Sequence, residues 1–145
     1  MALVVDDHLL IDLLAEDARG WLAEAVEASV VYTTASWYYR VANAAGRGSG
    51  SGSLSGRIAT MPAPMQLVVR DRIARLLESI ELIGPRRLVP LMAGLRTPRR
   101  LNYLGSEALA LAVLTEAIIA VRTDSPLLRE ACEALRVDYH LVGAR

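Results

Sequence analysis

Acidic residues follow two apolar runs of the chain, just beyond the point where each run ends. Asp6 comes directly after residues 3–5, and Asp124 comes three positions after residues 118–121. Short apolar runs of this kind predict buried strands of a parallel sheet. The carboxyl ends of parallel strands meet at one edge of the sheet, where ligands commonly bind. We therefore expect Asp6 and Asp124 to lie near each other at such an edge.

Both aspartates are also in place to cap the helices that follow them. Capping by Asp stabilises a helix by about 1 kcal/mol, and for Asp124 alone it is the favoured interpretation. When Asp6 and Asp124 are considered together with Glu107, which lies on the helix before the Asp124 strand, a shared acidic site is the better interpretation. Crowded carboxylates repel one another unless a cation lies between them, and hard oxygen ligands suit Mg²⁺ or Mn²⁺. Asp7 is an auxiliary ligand in this hypothesis.

The spacing of hydrophobic residues predicts the elements that position these acids. Stretches with helical periodicity separate five candidate strands, at residues 3–5, 30–33, 80–83, 118–121 and 139–142. Helices of this length between strands indicate βαβ crossovers and a mostly parallel sheet covered on both faces. The sequence therefore predicts one domain over residues 1–145, with a three-layer α/β/α sandwich.

Polar residues and glycines predict where helices begin and where the chain is irregular. Thr34 or Ser36 is expected to cap the helix after the second strand, and Ser106 the helix that carries Glu107. Residues 46–56 read GRGSGSGSLSG, without an apolar period. This composition predicts a flexible connecting loop.

Composition excludes several classes of protein. Hydrophobic residues make up 53% of the chain, which excludes disorder over most of it, and no apolar run approaches the length of a membrane span. One cysteine and an N-terminus without a basic segment predict a cytoplasmic protein without a signal peptide. A net charge of zero excludes a uniform basic field but leaves room for local patches. The high apolar content also favours a homo-oligomer.

All 16 basic residues are arginine, and the absence of lysine excludes two functions. A P-loop needs a lysine to reach the phosphates of a nucleotide. The opening strand with its paired acids Asp6 and Asp7 also resembles a response-regulator receiver domain, and Met61-Pro62 resembles the dipeptide after that family's phosphoacceptor. However, residues 56–60 contain no aspartate to phosphorylate, and the lysine that such domains use is missing. The receiver interpretation is therefore rejected.

Three segments resemble PIN-like domains, the fold of metal-dependent ribonucleases that includes many bacterial toxins. The first is the strand that ends in Asp6 and is followed by a Leu-rich helix. The second is residues 106–112, SEALALA, similar to the family's acid-Ala-x-x-Ala helix. The third is residues 121–124, VRTD, followed by two leucines, similar to the family's Thr-Asp turn. The three segments occur in the family's order, and the resemblance extends over most of the chain.

The resemblance implies a Mg²⁺- or Mn²⁺-dependent endoribonuclease. Asp6, Glu107 and Asp124 would be its catalytic carboxylates, and the same three with Asp7 would be its metal ligands. RNA would be the substrate, and a small antitoxin-like protein a typical partner. The chain departs from the family at residues 34–43, where the family carries a further acid and this helix has none. A catalytically degenerate PIN-like module that binds RNA or a protein, and a plain homodimeric scaffold, therefore stay open.

Two further features have both a functional and a structural interpretation. The aromatic residues 37–39 could form a surface for stacking bases, although aromatic residues at helical spacing more often lie in the core. Arginines are frequent between residues 70 and 100, where they suit bidentate contacts to phosphate. A solvated face is the competing interpretation of these arginines, and it is slightly favoured.

Overall fold

A computed structural model describes residues 1–47 and 52–143 of the chain. Within them, five parallel strands form one sheet in the order β3-β2-β1-β4-β5. The strands are β1 (Ala2–Val5), β2 (Val30–Tyr32), β3 (Ile80–Glu81), β4 (Ile118–Val121) and β5 (Tyr139–Leu141). From β1 the chain moves outward through β2 and β3, and then returns to the other side of β1 to add β4 and β5. The direction of winding therefore reverses between β1 and β4.

The two central strands are buried on both sides, which explains their continuous apolar sequences. Successive side chains of a strand point to opposite faces. In β1, Leu3 and Val5 pack into one core cluster and Val4 into the other. In β4, Ala120 packs into the first cluster, and its two neighbours pack into the second. Each strand thus supplies apolar side chains to both layers of helices.

Helices cover both faces of the sheet, which confirms the predicted three-layer α/β/α architecture. In the described residues they are α1 (Asp7–Leu14), α2 (Trp21–Glu27), α3 (Ala35–Arg47), α4 (Ser53–Ala59), α5 (Ala63–Ala74), α6 (Pro85–Gly94), α7 (Tyr103–Thr115) and α8 (Pro126–Leu135). Buried residues of α1, α2, α4 and α5 belong to one core cluster, and those of α6, α7 and α8 to the other. Helix α3 contributes Trp37 to the second cluster and Val41 to the first.

Of the two helix caps predicted from the sequence, the structure confirms the one at the start of α3 and not the one at the start of α7. The hydroxyl of Thr34 accepts the backbone N–H of Trp37 at 3.0 Å, so the predicted cap of α3 is confirmed. The predicted cap at Ser106 is wrong, because α7 begins at Tyr103 and the side chain of Asn102 accepts the N–H of Gly105 at 2.8 Å. A Cβ at Gly105 would lie 3.2 Å from that side-chain oxygen, which favours glycine there.

Helices occupy both ends of the segment predicted to be a flexible loop. Helix α3 continues to Arg47, and α4 begins at Ser53. The loop predicted for residues 46–56 is therefore wrong at these positions, while residues 48–51 lie outside the described part of the chain. Helix α4 forms because Leu54 and Ile58, one turn apart, are both buried in the core.

The helices are short compared with a bilayer. The longest in the described residues, α3 and α7, have 13 residues each, against about 20 for a membrane span. None of the described helices combines the length and the apolar character needed to cross a membrane.

Candidate functional site at the switch between strands β1 and β4

A crevice opens where the winding of the sheet reverses. In open parallel sheets the loops beyond the two strands at such a point diverge, and ligands bind between them. Here the crevice has a volume of about 290 Å³. Its polar lining comes from the loops after β1 and β4, from α1, α3 and α4, and from the N-cap of α7: Asp6, Asp7, His8, Arg40, Ser53, Asn102, Thr123, Asp124 and Ser125.

Asp6 is both a helix cap and a tie between the two central strands. Its Oδ1 accepts the backbone N–H of Leu9 at 2.9 Å, which caps α1, and its Oδ2 accepts the backbone N–H of Arg122 at 2.8 Å. Asp6 as a whole residue is only 3% exposed. The capping interpretation of Asp6 is therefore confirmed, and the bond to Arg122 fixes the end of β4 relative to β1.

Burial raises the pKa of Asp6 from 3.8 to about 6. Loss of hydration disfavours the charged form and is the main cause, and the nearby charge of Asp7 acts in the same direction. The backbone N–H groups of Leu9, Arg122 and Thr123 partly oppose this rise. A cation next to Asp6 would favour its charged form.

The raised pKa predicts how Asp6 affects stability in metal-free buffer. The folded protein binds the Asp6 proton more tightly than the unfolded chain does. The contribution of Asp6 to the free energy of unfolding therefore falls as pH rises from 3.8 through about 6. The Asp6→Asn variant lacks this titration. We expect its free energy of unfolding, relative to wild type, to rise by about 2 kcal/mol between about pH 4 and about pH 7. Urea unfolding across this range measures the difference, and a constant difference would contradict the prediction.

Asp7 faces a cation supplied by helix α3. Its Oδ2 lies 3.3 Å from Nε of Arg40, and its Oδ1 accepts the N–H of His8 at 2.8 Å. Asp7 is buried, whereas the Arg40 side chain is 53% exposed. Burial lowers the pKa of His8, whose ring nitrogens contact Ser53 Oγ and Arg57 Nη1, each at 3.3 Å. Positive and negative groups thus share this end of the crevice.

Asp124 is held by two partners rather than by a helix cap. Its Oδ1 accepts the hydroxyl of Tyr139 at 3.0 Å, and its Oδ2 lies 3.0 Å from Arg129. The Tyr139 hydroxyl in turn accepts the N–H of Ser125 at 2.9 Å. The N-cap of α8 is Ser125, and it makes no side-chain capping bond. The capping interpretation favoured for Asp124 alone is therefore wrong.

Glu107 lies beside the crevice rather than in it. It is 2% exposed, and its Oε1 accepts the backbone N–H of Ser36 at 3.0 Å, which connects α7 to the first turn of α3. It lines a neighbouring concavity of about 420 Å³ together with Tyr39 and Tyr103. The structure thus brings Asp6, Asp7 and Asp124 to one crevice and places Glu107 at the next.

The predicted metal ligands do not form a ready-made metal cluster. Within residues 1–47 and 52–143, no group of three or more His, Cys, Asp or Glu side chains is arranged to hold a metal ion. Each oxygen of Asp6, and each of Asp124, already has a hydrogen-bond or ion-pair partner within the protein.

Sequence reasoning missed the contributions of helices α3, α4 and α7 to the crevice. Arg40, Ser53 and Asn102 line it, and none of them was a candidate. The position of Arg40 could have been a signal, because α3 follows β2 and its first turns lie at the same edge of the sheet as Asp6. Trp37 is buried, as the core interpretation predicted, whereas Tyr39 is exposed.

The arginine-rich middle of the chain does not form one surface of free cations. Arg72 on α5 pairs with Glu16 at 2.8 Å, and Arg75, the C-cap of α5, pairs with Asp71. Arg96 and Arg100 instead line a separate groove next to α7. Some arginines of this segment are thus neutralised by ion pairs, and two others lie together at the groove.

Comparison with protein-family models and with curated proteins gives no match. The fold and the crevice define the class as an α/β/α protein with an all-parallel five-stranded sheet. Three of its acidic residues lie together where the winding of the sheet reverses.

Proposed function

We propose that this chain is a PIN-like protein that cleaves RNA phosphodiesters with the help of Mg²⁺ or Mn²⁺. The observation that supports this most is the meeting of Asp6, Asp7 and Asp124 in one crevice at the switch point. These residues come from opposite ends of the sequence, and only the parallel pairing of β1 with β4 brings them together.

The side chains of the crevice suit a cation that binds together with a substrate phosphate. They suit less well a resident cation that the protein alone would hold. Mg²⁺ usually keeps several waters and is bound by one or two carboxylates together with substrate phosphates. The crevice offers three carboxylates, and negative groups gathered in one place favour a positive charge between them. The absence of a cluster of three ligands in the described residues argues against a tightly held resident ion.

In this proposal, Asp7 and Asp124 hold the cation, and Asp6 supports it from the junction of β1 and β4. The bound ion would supply a positive charge that neutralises the charge developing on the phosphate. Arg40, half exposed beside Asp7, is placed to contact a phosphate oxygen. The hydroxyl of Tyr139 and the guanidinium of Arg129 hold the Asp124 carboxylate in place. Glu107 acts as a positioning residue, because it anchors the first turn of α3 through Ser36.

Titration with Mn²⁺ while following the melting temperature tests the metal site. A ligand present at about ten times its Kd stabilises the folded state by about 1.4 kcal/mol, which raises the melting temperature by about 3 °C or more. We expect this shift in wild type at millimolar Mn²⁺ and its loss in Asp124→Asn. Asp71→Asn, at an exposed ion pair on α5, is the matched control that keeps the shift. A wild-type midpoint that Mn²⁺ moves neither alone nor together with a non-cleavable RNA would rule out the metal-dependent proposal.

The competing proposal is a catalytically degenerate PIN-like module that binds RNA or a protein partner. Two observations favour it: α3 carries no carboxylate, and the crevice acids already have partners within the protein. Binding of an RNA oligonucleotide that persists in EDTA, with no cleavage after Mn²⁺ is added, would support this module over the nuclease.

A further inference from the structure

A third and larger concavity lies beside helix α6 and the first turn of α7. Its volume is about 840 Å³, compared with about 290 Å³ for the crevice. Its wall is largely apolar and includes Val89, Met92, Leu95, Leu101 and Tyr103. Val89 is 46% exposed and Tyr103 is 55% exposed. Apolar side chains gathered in an open groove are typical of an interaction surface.

The rim of this groove is positively charged. Residues 82–106 contain five arginines and no Asp or Glu, in a chain whose net charge is zero. Arg96 and Arg100 are exposed and line the groove. In the described residues neither has a carboxylate within ion-pair distance, whereas Arg99 lies 3.4 Å from Glu130. The groove therefore combines an aliphatic floor with two uncompensated guanidinium groups.

We propose that this groove docks a partner protein through an acidic amphipathic helix. Apolar grooves beside helices bind partner helices through side chains spaced by three or four residues. Carboxylates on the flanks of such a helix would pair with Arg96 and Arg100. Met92 suits this role because its flexible, polarizable side chain adapts to the shape of what it contacts.

The lining of the groove favours a peptide over single-stranded RNA. Sites for single-stranded RNA combine basic residues with several aromatic platforms on which bases stack. Among the residues that line this groove only Tyr103 is aromatic, and the rest of the apolar wall is aliphatic or Met. Aliphatic side chains offer a base no stacking partner but pack well against Leu, Ile or Val.

The groove and the crevice are both lined by the segment at the start of α7. Leu101, Tyr103 and Ser106 line the groove, and Asn102 and Leu104, which alternate with them, line the crevice. A docked helix would therefore lie against the same turn of α7 that forms a wall of the crevice. The groove is nevertheless a separate site, because the crevice carboxylates are not part of it.

Peptide selection tests the docking site directly. A display library of random peptides of about 15 residues, a length that is marginally helical in isolation, is selected against the whole chain. We expect enrichment of Asp and Glu interspersed with aliphatic residues. A fluorescent copy of a selected peptide should bind Arg96→Glu/Arg100→Glu about 10-fold more weakly than wild type, because both rim charges are reversed. Val89→Asp, which changes the floor instead of the rim, should weaken binding to a similar extent.

A matched control separates the groove from net charge. Arg70→Glu/Arg136→Glu makes the same change of charge at exposed positions on α5 and at the end of α8, and it should keep wild-type affinity. Failure to select any peptide, selection of basic peptides, or equal binding by wild type and the rim variant would overturn the proposal. So would an oligouridylate that binds wild type and loses affinity in the rim variant, since that result assigns the groove to RNA. A dimer that the rim variant dissociates would assign the groove to a second copy of this chain.

Discussion

Replacing Asp12 by alanine is expected to lower the free energy of unfolding by about 3–5 kcal/mol, the cost of breaking a buried ion pair. Asp12 lies on α1 with no exposed surface, and its two oxygens accept Arg57 of α4, at 2.6 Å, and Arg122 at the end of β4. Removing the carboxylate leaves two guanidinium groups in partly buried positions without this counter-charge. Urea unfolding of wild type and variant measures the loss.

An exposed ion pair provides the control for this prediction. Asp71 on α5 and Arg75 at its C-cap both have side chains that are more than half exposed, and exposed pairs contribute about 0–1 kcal/mol. Asp71→Ala should therefore change stability by less than about 1 kcal/mol. A loss of similar size for Asp12→Ala would mean that water or other partners compensate both arginines after the change.

The Asp12 network also connects stability to the crevice. Arg57 donates to the carbonyl oxygen of His8 at 2.8 Å, and the backbone N–H of Arg122 donates to Asp6. Asp12 thus fixes the positions of α4 and of the end of β4, both of which border the crevice. We infer that it is a positioning residue for the site as well as a structural one.

Under the proposed nuclease function, Asp124→Asn is expected to reduce RNA cleavage by about 100-fold or more, because it removes a ligand of the cation. The substitution removes a negative charge from the crevice, whereas the remaining side-chain oxygen can still accept the Tyr139 hydroxyl. Little loss of stability is therefore expected. The initial rate of cleavage of a labelled RNA in Mn²⁺, with melting temperatures measured in parallel, separates lost chemistry from lost folding.

Glu130→Gln, on the helix that follows Asp124, is the matched control. Glu130 lies on α8, 41% exposed and outside the crevice, so its neutral variant should cleave RNA at the wild-type rate. Equal rates for wild type and Asp124→Asn would attribute the cleavage to a contaminant. That result would favour the module that binds without cleaving.

The local sequence was sufficient to predict the core strands and some of the helix caps. Residues 3–5 and 118–121 are apolar without alternation, a pattern that fits a short strand buried on both faces. Asp6, which follows the first run, caps α1. This is the capping that the sequence predicts for an acid three residues before a backbone N–H without a partner in the helix. The cap at Thr34 follows the same rule.

Local sequence was not sufficient where weak helix formers pack against the core. Ser53, Ser55 and Gly56 have low helix propensity, so the segment reads as a loop. Its buried residues Leu54 and Ile58 gain more from the core than the helix loses in propensity. At the start of α7, Asn102 and Ser106 are both good cap residues, and the helix begins at Tyr103 with Asn102 as its cap.

By itself, the sequence determined the parallel α/β/α architecture and the placement of Asp6 and Asp124 at strand ends, because both follow from patterns within a few residues. The tertiary structure decided which acids share a crevice. Pairing of β1 with β4 joins Asp6 to the end of β4 across more than a hundred residues of chain, whereas packing of α7 against α3 turns Glu107 toward Ser36. The charges that surround the acids, above all Arg40, also come from elements distant in sequence, and no local pattern contains them.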